Sequence, residues 1–161
     1  MFIEGIAIGI VGTIGMDTWA LVVRHVFHLP VSDWAMIGRW VGYFPRGRFT
    51  HAPIAASAPL PHELATGWIV HYLTGVIYGL LYLGLVESLF DTAPGLASAT
   101  GFGLCTLAAP WLLMQPGLGL GFFAAKTPRP WLTRTINVSM HLSFALAMYL
   151  GWVLLQMLQG A

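Results

Sequence analysis

The sequence predicts an all-α protein, an integral membrane four-helix bundle, and its composition and its long apolar segments lead to that prediction. Only 8% of the residues are charged, 57% are hydrophobic, and the mean hydropathy is +0.76. A soluble domain carries roughly 25% charged residues because its surface faces water. Four apolar segments are also near or above the ~20 residues that a bilayer core requires. Most of the surface is therefore expected to face lipid.

The four predicted spans form a single membrane domain over residues 1–161, and they cover residues 2–27, 64–88, 95–115 and 131–157. The first span resembles a signal peptide in its position. It lacks a basic start, however, and its apolar stretch continues past Asp17 without a small-residue cleavage pattern. We therefore predict a retained helix.

The connection between the first two spans contains SDWAMIGRWVGYF, which predicts an interfacial amphipathic helix over about residues 33–43. Ser32 or Asp33 is suited to cap its start. An apolar stripe at helical spacing is suited to the membrane interface. The residues of that stripe are Trp34, Ile37, Trp40 and Val41.

The third span ends in MQPGLGLGFFAAKTPRP, where Pro116 and three alternating glycines predict a broken or unwound helix. Non-helical backbone at that depth persists only where protein or water satisfies it. A segment lining a site is therefore expected here. Since no strand precedes the glycines, they do not predict nucleotide binding.

The basic residues predict the orientation, because all seven lie within or beside two connections. They are Arg24, Arg39, Arg46 and Arg48 at or after the end of the first span, and Lys126, Arg129 and Arg134 around the connection between the third and fourth. The opposite side has both termini and a turn with Glu87 and Asp91. The positive-inside rule then places both basic loops in the cytoplasm and both termini outside.

The basic residues also suggest partners. Anionic lipid headgroups are expected to meet five of them, namely Arg46, Arg48, Lys126, Arg129 and Arg134. A net charge of +1 without a basic run argues against nucleic acid. The single cysteine, Cys105, excludes an intrachain disulfide and says nothing about the redox compartment.

Five polar residues inside the predicted spans form the candidate site, on four different helices. Asp17 is on the first, His71 on the second, Gln115 near the end of the third, and Asn137 and His141 on the fourth. With a rise of 1.5 Å per residue, Asp17 and His141 lie roughly 15 Å from the cytoplasmic helix ends and His71 roughly 12 Å. A shared depth predicts one polar centre in the cytoplasmic half of the bundle.

Small residues continue the faces on which these polar side chains lie. The four-residue repeats are Gly5, Gly9, Thr13 and Asp17, then His71, Gly75 and Gly79, then Asn137, His141 and Ala145. Such repeats let membrane helices approach closely. An ionisable residue inside a membrane is usually paired. We therefore expect a histidine, an asparagine or Arg24 to hold Asp17.

Two interpretations of the polar centre are open. In the first, the polar side chains have a structural role and fix helix register through interhelical hydrogen bonds. In the second, they form a site that binds or moves a small solute or ion with proton exchange. Protonatable residues and discontinuous helices recur in transporters. Four helices make a narrow path, so transport predicts a homodimer. A structural role predicts an accessory subunit of a larger membrane complex.

A cofactor is a third interpretation. His71 and His141 could be the axial ligands of a b-type haem. With Asp17 they also form a ligand set for zinc or iron, and three nearby methionines shift that preference towards copper. Those methionines are Met16, Met114 and Met140. No motif such as HExxH supports a metal, so no cofactor is favoured.

An enzyme is the interpretation that the sequence favours least. Ser139 and Ser143 flank His141 but point to other sides of the helix, and Cys105 lies among apolar residues. No nucleophile therefore has a recognisable context. The remaining acid–base candidates are interfacial, namely His51, His62 and Glu63.

Together with His141, the stretches MDTWALVVR, IGRWVGYFPRGRF, GWIVHYLTG and APWLLMQPGLGLGFFAAKTPRPW resemble a family of bacterial inner-membrane proteins known only as a domain of unknown function. Its landmarks here are MDxWA, GRWxGxxPRGRF and MQPGxGxG, and the resemblance covers nearly the whole chain. It implies a four-span protein of the bacterial cytoplasmic membrane. It implies no substrate, cofactor or catalytic residue.

Overall fold

The computed structural model describes residues 1–88 and 92–160, and it contains four helical segments long and apolar enough to cross a membrane. They are Phe2–His25, Glu63–Ser88, Leu96–Gly117 and Pro130–Gln159. No strand occurs among the described residues. The predicted all-α class with four long apolar helices is therefore confirmed, and these helices indicate a multi-pass membrane protein. Asp91, which entered the orientation argument, lies outside the described residues.

The first helix, α1, covers Phe2–His25, and a short helix, α2, covers Trp34–Gly42. Asp33 caps α2, because its carboxylate accepts hydrogen bonds from the backbone N–H groups of Ala35 at 2.9 Å and Met36 at 3.4 Å. The helix α3 then covers Glu63–Ser88. The connection before it contains two short 3-10 turns, Phe44–Arg46 and Ile54–Ala56.

The third span is not a uniform α-helix. The helix α4 covers Leu96–Thr106, a π-helical segment follows at Pro110–Met114, and one further α-turn covers Gln115–Gly117. Pro110 has no N–H to donate to the carbonyl of Thr106, and the hydrogen bond that closes the π-segment runs from Gln115 N–H to Pro110 O. The helix thus departs from α-geometry before Pro116, where the sequence placed the break.

The chain after this span is irregular until the last helix begins. Gly119 and Gly121 adopt left-handed conformations with φ of 84° and 75°. Phe123 and Ala124 do so as well, with φ of 52° and 57°, which is uncommon for residues other than glycine. The last helix, α5, covers Pro130–Gln159. The predicted unwinding at the glycines is therefore confirmed.

The chain divides into two compact units. Unit 1 contains Met1–Val31, Tyr72–Thr106 and Val138–Ala161, whereas unit 2 contains Ser32–His71 and Leu107–Asn137. The prediction of a single membrane domain stays a prediction, and the two units are described separately.

Within unit 1, α1 and α3 contact each other through glycines. A β-carbon on Gly79 would lie 2.7 Å from the backbone nitrogen of Gly9, and one on Gly9 would lie 2.9 Å from the carbonyl carbon of Gly75. Only hydrogen fits at these positions, so the helix backbones touch. The glycines of the predicted ridges therefore lie at the contact between α1 and α3. The core beside them contains Ile8, Tyr82, Leu83, Phe144 and Met148.

Within unit 2, α2 packs across the beginning of α3. A β-carbon on Gly38 would lie 2.6 Å from the backbone nitrogen of Gly67, and one on Gly67 would lie 2.7 Å from the carbonyl carbon of Trp34. This approach buries Ile37 in the core of unit 2, with Trp34 and Trp40 packed against it. Three members of the predicted stripe therefore contact protein. That α2 also lies at the membrane interface stays a prediction.

Candidate functional site

Asp17 of α1 and Tyr72 of α3 meet in unit 1. The Tyr72 hydroxyl donates a hydrogen bond of 3.0 Å to Oδ2 of Asp17, and both side chains are partly buried. The glycine contact explains why these two side chains meet, because Gly9 of α1 lies against Val76 of α3. Asp17 lies eight residues after Gly9 and Tyr72 lies four residues before Val76, so each continues the contacting face of its helix. Sequence reasoning missed Tyr72. The signal for it was its place four residues before Val76 on the face that α1 contacts.

Thr106 of α4 and His141 of α5 form the second polar pair of unit 1. Thr106 Oγ1 lies 2.7 Å from His141 Nδ1, and Thr106 is buried. The helices approach closely here, since a β-carbon on Gly103 would lie 2.7 Å from Cβ of Ala145 and 2.9 Å from the carbonyl oxygen of His141. This confirms that His141 and Ala145 lie on a face of α5 that meets another helix.

The hydrogen bonds of Thr106 also predict which nitrogen of His141 carries the proton. The Thr106 hydroxyl donates its one hydrogen to Gly103 O at 2.6 Å, so towards Nδ1 of His141 its oxygen acts as an acceptor. Neutral His141 then carries its hydrogen on Nδ1.

Two contacts between α1 and α5 place these pairs at one level of unit 1. A β-carbon on Gly15 would lie 3.5 Å from the carbonyl oxygen of Ser143, and Trp19 donates a hydrogen bond of 3.0 Å to Ser139. In the sequence, Asp17 lies midway between Gly15 and Trp19. His141 lies midway between Ser139 and Ser143. The two pairs thus share a level, and we refer to Asp17, Tyr72, Thr106 and His141 as the polar layer.

Gln115 and Asn137, both in unit 2, are brought together as the sequence predicted. Asn137 Oδ1 accepts hydrogen bonds from Nε2 of Gln115 at 2.8 Å and from Nε1 of Trp111 at 3.2 Å. Gln115 is only 2% exposed, and within the described residues its Oε1 has no hydrogen-bond partner. A buried amide oxygen without a partner is a place for water or a ligand to donate a hydrogen bond.

His71, also in unit 2, lies among aromatic rings. Its ring stacks on Trp34 with centroids 3.8 Å apart, and the ring of Trp68 lies 5.8 Å away. The stack depends on α2 folding back onto α3, a contact between distant parts of the sequence. That the five predicted residues form one centre stays a prediction.

An ion pair in unit 2 was not predicted. Arg39 Nε and Nη2 each donate a hydrogen bond of 2.8 Å to the carboxylate of Glu63, and Nη1 donates one of 3.1 Å to the carbonyl of Ser57. Glu63, considered above as an acid–base candidate, is therefore held by a guanidinium. The hydrogen bond to Glu63 raises the pKa of Arg39 above its usual value, so the guanidinium stays charged.

Other residues that the sequence singled out lie as follows. Among residues 1–88 and 92–160, no three histidine, cysteine or carboxylate side chains are grouped so that they could hold a metal ion. Arg134 contacts protein, because its Nε donates a hydrogen bond of 2.8 Å to Phe123 O and its guanidinium lies over the Trp131 ring. Binding of lipid headgroups by Arg134, Lys126 and Arg129 stays a prediction.

Comparison with known protein families identifies a family. The model of a family described as "Protein of unknown function (DUF2938)" matches residues 6–155. This confirms the resemblance to a family of unknown function. No curated protein and no solved structure matches the chain.

Proposed function

The chain belongs to the DUF2938 family, whose function is unknown, and from that premise we propose that it binds or moves a small solute or ion with proton exchange at the polar layer. The observation that carries the proposal is the hydrogen bond between Tyr72 and Asp17, within helices otherwise apolar enough to span a membrane. Ionisable residues at such positions are costly and mark ion and proton pathways.

The Asp17–Tyr72 pair has the chemistry that proton exchange needs. As a carboxylate, Asp17 accepts the hydrogen bond from Tyr72. Once protonated, it still has an accepting oxygen for Tyr72 and gains an O–H that can donate to a solute or water. The phenol therefore keeps the carboxyl group in place in both protonation states.

The Thr106–His141 pair supports the same proposal. His141 is a second protonatable side chain on a helix apolar enough to span a membrane, and Thr106 holds its ring in place through Nδ1. Thr106 is also the last residue of α4, and a π-helical segment begins four residues later at Pro110. Discontinuous helices recur at transporter sites because their ends present unpaired backbone groups to the solute.

Proton flux into liposomes tests the proposal. Purified protein is reconstituted into liposomes that contain a pH-sensitive dye, and a pH gradient is imposed. We expect the wild type to dissipate the gradient faster than protein-free liposomes, and Asp17→Asn to slow it towards their rate. Asp33→Asn is the matched control, because it makes the same chemical change where asparagine caps a helix equally well. A rate for Asp17→Asn equal to that of the wild type contradicts the proposal.

We also propose the finer localisation, a bacterial inner membrane with both termini outside. The support is the distribution of charge, since all seven basic residues lie within or beside the two connections assigned to the cytoplasm. Four spans return both ends of the chain to one side, which agrees with this assignment.

A further inference from the structure

Two arginines in unit 2 lie over the ring of one buried tyrosine. The guanidinium carbon of Arg48 is 4.8 Å from the ring centroid of Tyr43, and that of Arg46 is 5.2 Å from it. Tyr43 is 4% exposed, and its hydroxyl donates a hydrogen bond of 3.0 Å to Ala58 O. The ring is thus a fixed platform that positions both cations.

A backbone turn keeps the two arginine residues close together. The N–H groups of Arg46 and Arg48 both bond to the carbonyl of Tyr43, at 3.0 and 3.3 Å. Gly47 turns the chain between them with φ of 68°. Both side chains are exposed, and neither forms an ion pair in the part of the chain that the structure describes. Their forked N–H donors are therefore available to an anion.

His51 adds a buried nitrogen beside the same ring. Its ring centroid is 5.1 Å from that of Tyr43, and its Nδ1 lies 2.8 Å from Oγ of Ser57. His51 is 7% exposed, yet within residues 1–88 and 92–160 its Nε2 has no hydrogen-bond partner. Buried polar atoms are nearly always bonded, so an orphaned one indicates a missing partner.

We propose that Arg46, Arg48 and His51 bind the phosphate group of an anionic ligand. A phosphate offers several acceptor oxygens, which suits two forked guanidinium groups together with a third donor. When Ser57 donates to Nδ1 of His51, the ring carries its hydrogen on Nε2 and donates it to the ligand. The phosphate belongs either to a membrane lipid headgroup or to a soluble compound, and the chemistry of recognition is the same.

Isothermal titration of the full chain in dodecyl maltoside micelles, which carry no phosphate group, tests this proposal. The two probes are inorganic phosphate and a soluble short-chain phosphatidylglycerol. We expect saturable binding of at least one probe, with one site per chain. Binding of phosphatidylglycerol alone identifies a lipid site, and binding of inorganic phosphate identifies a site for soluble phosphates.

Three variants distinguish a built site from general attraction by charge. We expect Arg48→Gln and His51→Gln each to weaken binding tenfold or more. Arg24→Gln, which removes the same charge from the exposed end of α1, is expected to change binding less than twofold. Should His51→Gln fail to fold, Arg48→Gln, which alters an exposed side chain, decides the result. Absence of saturable binding by either probe, or equal weakening by Arg24→Gln and Arg48→Gln, overturns the proposal.

Discussion

Arg39 and Glu63 join α2 to the first residue of α3 through two parallel hydrogen bonds of 2.8 Å each. The side chains are only 8% and 17% exposed, so water screens the pair little. Glu63 also accepts a hydrogen bond of 3.0 Å from the backbone N–H of Leu60. This pair fixes the position of α2, on which the stack of Trp34 and His71 depends.

Removal of one partner of this pair is expected to destabilise the protein strongly. Arg39→Gln leaves the Glu63 carboxylate buried without its cation, which typically costs about 3–5 kcal/mol. Thermal unfolding in detergent measures the loss. The double variant Arg39→Gln with Glu63→Gln should be more stable than Arg39→Gln alone, since no charge is then stranded. Equal stability of the two variants would show that the pair is not coupled.

The close contact between α1 and α3 leads to a second prediction. Gly79→Ala places a β-carbon 2.7 Å from the backbone nitrogen of Gly9, which forces the helices apart, and overpacking of this kind costs about 1–3 kcal/mol. Gly84→Ala is the matched control on the same helix, because a β-carbon there has no atom within 4 Å. It should leave stability unchanged or raise it slightly. A similar melting temperature for the two variants contradicts the described contact.

The stability of the protein is expected to decrease as the pH is lowered, because of His51. Burial, and to a smaller extent the charge of Arg48, lower the pKa of His51 below its usual value, while the backbone carbonyl of Arg48 opposes them. Tyr43 and Arg48 are the titratable groups beside it, and the segment Gly117–Gly119 that contacts its backbone has none. The folded state therefore favours neutral His51. The stability that neutral His51 contributes is fully present above its usual pKa. It is lost as the pH falls through the lowered pKa of the folded state.

Melting temperatures between pH 7.5 and pH 5 measure this effect. The wild type should lose stability over this range, and His51→Asn should lose less of it although it is less stable at pH 7.5. The control is His62→Asn, since His62 is exposed and has a left-handed backbone that asparagine tolerates. An unchanged pH dependence in His51→Asn would remove His51 as the cause.

The hydrogen-bond pattern of Thr106 predicts the tautomer of His141. Neutral His141 should carry its hydrogen on Nδ1, which 15N NMR of histidine-labelled protein resolves, with His141→Asn used to assign the signals. Thr106→Ser keeps the hydroxyl and should keep the tautomer, whereas Thr106→Val removes it and should shift the population towards the Nε2–H form. If Thr106→Val leaves the spectrum unchanged, another contact fixes the ring.

The sequence was sufficient to predict the four spans, because each span is a continuous apolar stretch. It was also sufficient to predict the glycine contact between α1 and α3, because Gly5, Gly9, Gly75 and Gly79 are regularly spaced. The partners of the polar side chains were harder to predict. Tyr72 and Thr106 are common membrane residues, and their roles depend on how the helices are rotated. The position of α2 was not predictable either, since it depends on the contact of Gly38 with Gly67, which lie far apart in the sequence.

The proposed orientation is tested by labelling single cysteines. Cys105 is the only native cysteine, so Cys105→Ser gives a background to which Thr50→Cys or Gly160→Cys is added. Both positions are exposed and neither is charged, so the basic residues that set the topology are unchanged. In intact spheroplasts, a membrane-impermeant maleimide should label residue 160 and not residue 50. Lysed cells serve as the control because both should then react, and the reverse pattern in intact spheroplasts would invert the topology.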